Sequence, residues 1–170
     1  LFTRIKFPEL DSVPEKFRDY EMCLAAVKSN GGNLEYVPES LRDEQMCYTA
    51  IISRPCGDEL YFVPKKFIDK ALCVTAVNRY GAALTAVPTP FIDKAMCVKA
   101  VANYPASLDS VPDKFKDYDM CFDAVTDMGW LLQEVPEHLK DPEMCKAAVT
   151  SAGWSIKHVP ENLRTFELWL

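Results

Sequence analysis

The sequence predicts an all-α protein, a short-repeat α-solenoid built from about six 24-residue helical units. Three observations predict it. Val-Pro recurs at Val13-Pro14, Val37-Pro38, Val63-Pro64, Val87-Pro88, Val111-Pro112, Val135-Pro136 and Val159-Pro160, with a spacing of 24 residues broken once by 26. Cysteines keep the same beat at Cys23, Cys47, Cys73, Cys97, Cys121 and Cys145. Ala-Val or Ala-Ile follows each of them, from Ala26-Val27 to Ala148-Val149. One such unit cannot enclose a core, but stacked neighbours can.

On this period residues 1–12 are the end of a preceding unit, and 13–36, 37–62, 63–86, 87–110, 111–134 and 135–158 are tandem repeats. Residues 159–170 form a partial seventh copy, in which Trp169 stands where a seventh cysteine would fall. The chain begins at Leu1, and the stretch to Phe7 carries Arg4 and Lys6 with no long apolar run, unlike a signal peptide. A fragment or processed form with more chain beyond it is the expectation, because neither end looks like a polar capping unit.

Each unit carries its own start and stop chemistry. Asp19, Asp43, Asp69, Asp93, Asp117 and Asp141 stand where an N-cap carboxylate accepts free backbone N–H groups. Pro142 follows Asp141 in the first turn, where a missing N–H is harmless. A helix of about eleven residues is expected to run to Gly31, Gly81, Gly129 or Gly153, read as left-handed stops. Pro55 and Pro105 end the other two by steric exclusion. Inside the helix the recurring Met/Leu, Cys, Ala and Val/Ile fall at i, i+1, i+4 and i+5, one broad buried face.

The second half of each unit, such as Leu34 to Leu41, has apolar anchors at i, i+3 and i+7 interrupted by a proline. A residue before proline avoids helical backbone angles. A turn around Leu34 and a short helix begun by Pro38 are therefore expected. The two extra residues fall at Ser53-Arg54-Pro55-Cys56-Gly57-Asp58, which reads as a longer surface loop, either functional or a tolerated insertion.

The unit, as in Val13-Pro14-Glu15-Lys16-Phe17 with Cys23 and Ala26-Val27, resembles the short tandem repeats of bacterial proteins grouped as a domain of unknown function. Val135-Pro136-Glu137-His138-Leu139 with Cys145 and Ala148-Val149 carries the same pattern, and the resemblance spans nearly the whole chain. It implies a bacterial helical array, of a kind sometimes attached to secreted or host-directed effectors. It implies no activity and no catalytic residues.

Composition excludes several classes. The net charge is −6, which disfavours nucleic acid and anionic membranes as partners. No apolar run reaches the roughly 18–20 residues of a membrane span. One cysteine per unit on a buried helix face gives neither a C-x-x-C metal pair nor converging zinc ligands. Units one helix-packing distance apart, about 8–10 Å, are too far for a ladder of disulfides. Small buried thiols explain the pattern and point to a reducing, cytoplasmic compartment. Cys56 lies off the ladder, either incidental or an exposed thiol. His138 and His158 occupy variable positions, and there is no glycine-rich phosphate loop. No catalytic residue, metal site, cofactor or small-molecule substrate is expected.

Periodic residues build the scaffold, so a binding surface must come from the variable rows. The row after each cysteine is Leu24, Tyr48, Val74, Val98, Phe122 and Lys146, mostly apolar although beyond the edge of the buried face. The row after each capping aspartate contains Tyr20, Lys70, Lys94 and Tyr118. Tyr20, Tyr48, Tyr118 and Phe122 are candidate anchors of a semi-exposed ridge, with packing on the next unit as the alternative. Trp130 and Trp154 replace small residues at equivalent positions and are candidate hot spots, with shielding of the last units as the alternative. Lys65, Lys66 and Lys70 lie in the unit at 63–86, which carries +3, whereas the unit at 111–134 carries −4. Opposed patches suit a charge-complementary protein partner, though chance clustering gives the same tally. A protein-interaction scaffold is the expected function. An accessory module positioning a catalytic domain elsewhere, or a structural spacer, remains the alternative.

Overall fold

The computed structural model describes residues 10–53 and 57–164. Every regular element among them is helical, and strands are absent from the described residues. Seven α-helices follow in order: α1 (Tyr20–Ser29), α2 (Glu44–Ile52), α3 (Glu59–Phe62), α4 (Lys70–Arg79), α5 (Lys94–Asn103), α6 (Tyr118–Asp127) and α7 (Pro142–Ser151). Between them lie short 3₁₀ helices. The chain divides between Phe91 and Ile92 into two compact units, each taken by itself below.

The aspartates start the helices as the sequence predicts. Each is extended, and its carboxylate accepts the backbone N–H three residues on: Asp19 from Met22 at 2.8 Å, Asp43 from Met46 at 2.7 Å, and Asp69 from Leu72 at 2.7 Å. In the second unit Asp93, Asp117 and Asp141 hold Met96, Met120 and Met144 at 2.9, 2.9 and 2.8 Å. An N-cap of this kind contributes about 1 kcal/mol. The buried face is also the expected one, since Cys, Ala and Val or Ile are buried on α1, α2, α4, α5 and α6.

The helix stops differ from expectation. Gly57, with φ of 100°, is the one left-handed glycine among the described residues. Helices α1, α4, α6 and α7 end on Asn30, Tyr80, Met128 and Ala152, and the glycine after each begins a 3₁₀ helix. What demands glycine at Gly31 and Gly129 is proximity. A Cβ on Gly31 would lie 2.1 Å from the Ala50 carbonyl oxygen of α2, and one on Gly129 would lie 2.1 Å from that of Ala148 in α7. A missing side chain lets the next helix backbone approach.

The rest of each repeat is more regular than a turn. Gly31–Tyr36 is a six-residue 3₁₀ helix, and Glu39–Leu41 is a second, three-residue one. Pro38 caps the second and does not begin it. It stays extended (φ −53°, ψ 135°), and its carbonyl accepts the Leu41 N–H at 2.9 Å. Pairs of the same kind follow α4, α5, α6 and α7. In the second unit the 3₁₀ helices Pro105–Ser110 and Gly129–Glu134 each pack on the α-helix before them and on the one after. In the first unit Gly31–Tyr36 packs likewise on α1 and α2. Leu34, Leu84, Leu108 and Leu132 hold one register position in these 3₁₀ helices, Leu60 holds it in α3, and all five are buried. Full burial of such a side chain contributes about 1.5–3 kcal/mol.

In the insertion Arg54, Pro55 and Cys56 lie outside the described residues, so the expected surface loop is followed only at its ends. Gly57 is buried, and its N–H donates to Oε2 of Glu59 at 3.0 Å. Glu59 is itself buried at the start of α3, where the other copies have an uncharged residue. Trp169 and residues 165–170 also lie outside the described residues.

Candidate functional site

Much of the variable surface is occupied with holding the repeat together. The phenol of Tyr20 donates to Oδ2 of Asp43 at 2.8 Å, so it grips the cap of the next helix. That hydrogen bond is the main cause of the raised phenol pKa. Lys94 holds the equivalent place before Asp117. Its Nζ pairs with that carboxylate and donates to the Phe115 carbonyl at 2.5 Å. The lysine holds the Asp117 carboxyl below its usual range. Burial first, and then its approach to the Asp141 carboxylate, raise the pKa of the Tyr118 phenol. The row after the aspartates therefore ties one repeat to the next at Tyr20 and Lys94, and Tyr118 approaches Asp141 at the same register.

A second row escaped the sequence reading altogether. The residue before each capping aspartate is Arg18, Arg42, Lys116 or Lys140 in four copies, and Arg164 ends the described chain at the same register. Arg42 donates to the carbonyls of Val37 and Phe62 at 2.8 Å and to that of Glu35 at 3.1 Å. Arg18 donates to Val13 at 2.8 Å and also to Tyr36. Lys116 reaches Glu134 at 2.7 Å. The only signal in the sequence was a cation recurring in a place that Ile68 and Ile92 also fill.

The proposed anchors separate accordingly. In the first unit Tyr48 is 49% exposed on α2, and Val74 is exposed on α4 at the same register. Lys65, Lys66 and Lys70 are exposed, and Lys66 sits 4.7 Å above the ring of Phe67. Arg79, which adds to the same positive charge, donates to the Ile52 and Ser53 carbonyls at 2.7 and 3.1 Å. A cleft of about 610 Å³ runs between α2 and α4, lined by Tyr48, Phe67, Leu72 and Thr75 with Glu44 and Gln45.

In the second unit Phe122 is half-buried and stacks on Tyr118, centroids 5.6 Å apart and planes at 16°. Trp130 is half-buried, whereas Trp154 is 55% exposed. Lys157 sits 4.8 Å over the Trp154 ring, and His158 meets its edge at 6.3 Å. Burial holds the His158 imidazole below its ordinary pKa. A cleft of about 480 Å³ opens between α5 and α6, lined by Val98, Val101, Ala102 and Pro105 on one side and by Asp119, Asp123 and Asp127 on the other.

The ladder cysteines are buried and unpaired. Burial pushes the thiols of Cys47, Cys73 and Cys121 up to about 11, the opposite of what a nucleophilic cysteine requires. Cys56 lies outside the described residues. Among those residues no group of three His, Cys, Asp or Glu side chains is placed to hold a metal ion. No helix among them is long and apolar enough to cross a membrane.

These features define an all-helical tandem-repeat protein. The family described as a domain of unknown function (DUF4116) matches the chain over residues 10–42, 19–68 and 117–164. Together these stretches cover more than half of the chain, which therefore belongs to that family. No curated protein and no solved structure matches it.

Proposed function

We propose that the chain is a short-repeat α-solenoid of six 24-residue units whose function is to bind another protein. One observation carries this reading. The periodic polar residues are engaged internally, while large apolar side chains at non-periodic positions, Tyr48 and Trp154 among them, are left at the surface. Exposed aromatic side chains of this kind supply most of the energy in protein interfaces. A binding role rather than catalysis fits the carboxylates and thiols. All six capping aspartates hold a backbone N–H, and the ladder thiols are buried in protonated form. The likeness to bacterial arrays supports a cytoplasmic or host-delivered scaffold without catalytic parts of its own.

Photo-crosslinking in source cells tests the reading. A benzophenone amino acid at Tyr48 or Trp154 is expected to yield a discrete adduct with one other protein. Trp154→Ala, with charge reversal at Lys65, Lys66 and Lys70, is expected to weaken that adduct while leaving the helical circular dichroism unchanged. Absence of any adduct at both positions would sink the proposal. Trp130 is the poorer reporter, because its half-buried ring also contributes to packing.

A further inference from the structure

We propose that the cleft between α5 and α6 seats a long cationic side chain, Lys or Arg, carried by an amphipathic segment of the partner; this rests on the protein-binding reading above. Pro105 and Ala124 both line the cleft. Pro105 stands 24 residues before Gly129, at the register where glycine lets the following helix close. At Gly129 the missing side chain lets Ala148 approach closely, whereas Pro105 fills the corresponding position opposite Ala124, the counterpart of Ala148. The volume of about 480 Å³ is within the roughly 300–1,000 Å³ of ordinary ligand pockets.

The two walls differ in chemistry. Helix α5 presents Val98, 46% exposed, with Ala102 and Pro105 beside it. Along α6, Asp119, Asp123 and Asp127 follow one another at i, i+4 and i+8, so they form a single line up the facing wall. Like charges one turn apart repel and weaken the helix that carries them. Asp117, which also lines the cleft, is already paired with Lys94. No cation among the described residues answers the other three, which lie in a repeat of net charge −4. An apolar stem on one wall and a carboxylate line on the other match a Lys or Arg side chain, whose methylenes seek apolar cover while the charged head seeks acid. A helical segment lying in the groove would present such side chains at the same one-turn spacing.

Fluorescence polarisation on the full chain tests this, with a labelled amphipathic peptide of Lys and Leu at helical spacing as the probe. Saturable binding is expected, weakening as salt is raised, with no binding of the same peptide carrying Glu for Lys. Asp119→Asn/Asp123→Asn/Asp127→Asn removes the charge. Ala102→Trp fills the cleft and leaves the charge in place. Each is expected to weaken binding by roughly tenfold or more, with unchanged circular dichroism. If Ala102→Trp binds as tightly as the unmodified chain, the peptide is held by diffuse surface charge and the cleft assignment fails. If the triple variant binds undiminished, or the chain does not bind the peptide, the assignment also fails. Failure of the peptide assay with adducts retained at Tyr48 and Trp154 would overturn this inference alone, whereas absence of those adducts would overturn the scaffold reading itself.

Discussion

The carboxylate of Asp43 serves two helices at once: Oδ1 accepts the Met46 N–H at 2.7 Å, and Oδ2 accepts the Tyr20 hydroxyl at 2.8 Å. Removing the carboxylate therefore severs a cap and a link between repeats together. Asp43→Ala is expected to cost about 1 kcal/mol or somewhat more, and Tyr20→Phe distinctly less, because that hydrogen bond faces solvent. Urea unfolding of the two single variants and the double variant checks it. The double variant should lose less than the singles added together.

Gly129 and Gly153 occupy the same register but not the same surroundings. A Cβ at Gly129 meets the Ala148 carbonyl oxygen at 2.1 Å, whereas at Gly153 nothing lies within 4 Å. Gly129→Ala is expected to destabilise by about 1–3 kcal/mol, as overpacked sites do. Gly153→Ala is expected to be neutral or stabilising by up to about 1 kcal/mol, through the reduced freedom of the unfolded chain. Thermal melts of the pair read the difference directly, and equal losses would refute the contact argument.

Arg42 satisfies three carbonyl oxygens from two repeats. Arg42→Met keeps the stem and leaves those acceptors to water, with an expected loss of about 1–3 kcal/mol by chemical denaturation. Arg42→Lys should recover only part of it, since one ammonium cannot span all three directions. Full recovery by lysine would show that charge, and not the guanidinium fork, is what counts.

The thiol ladder gives the protein an alkaline limit. Thiols whose folded pKa is raised from 9.0 to about 11 contribute stability that is fully present below 9 and is lost as pH rises through 11. Urea midpoints are expected to be flat on the neutral side of this window and to fall within it. Cys121→Ala should flatten part of that fall. Alkylation at mildly alkaline pH, followed by peptide mass mapping, should leave all six ladder cysteines unmodified until denaturant is added.

The scaffold was legible in the sequence because it is written once per repeat. Asp-capped helices with a buried Cys, Ala and Val face need only local rules and a period. The glycines were misread, since local rules offer a left-handed stop, whereas the real constraint comes from a carbonyl 19 residues further on, as between Gly31 and Ala50. The cations before four of the aspartates were given no role for the same reason. Arg42 finds Phe62, 20 residues further on, only when the whole repeat has folded. Among the proposed anchors, Tyr48 and Trp154 are exposed, while Tyr20 and Tyr118 face the next aspartate. Amphipathic periodicity alone cannot distinguish a tyrosine that reaches outward from one that reaches along the array.

The exchange of glycine for proline at residue 105 acts as a shim between two helices. The caps at Asp93 and Asp117, the thiols of Cys97 and Cys121 and the buried Leu108 are unchanged around it. The surface of one repeat can therefore differ from that of the next while the framework stays as it was.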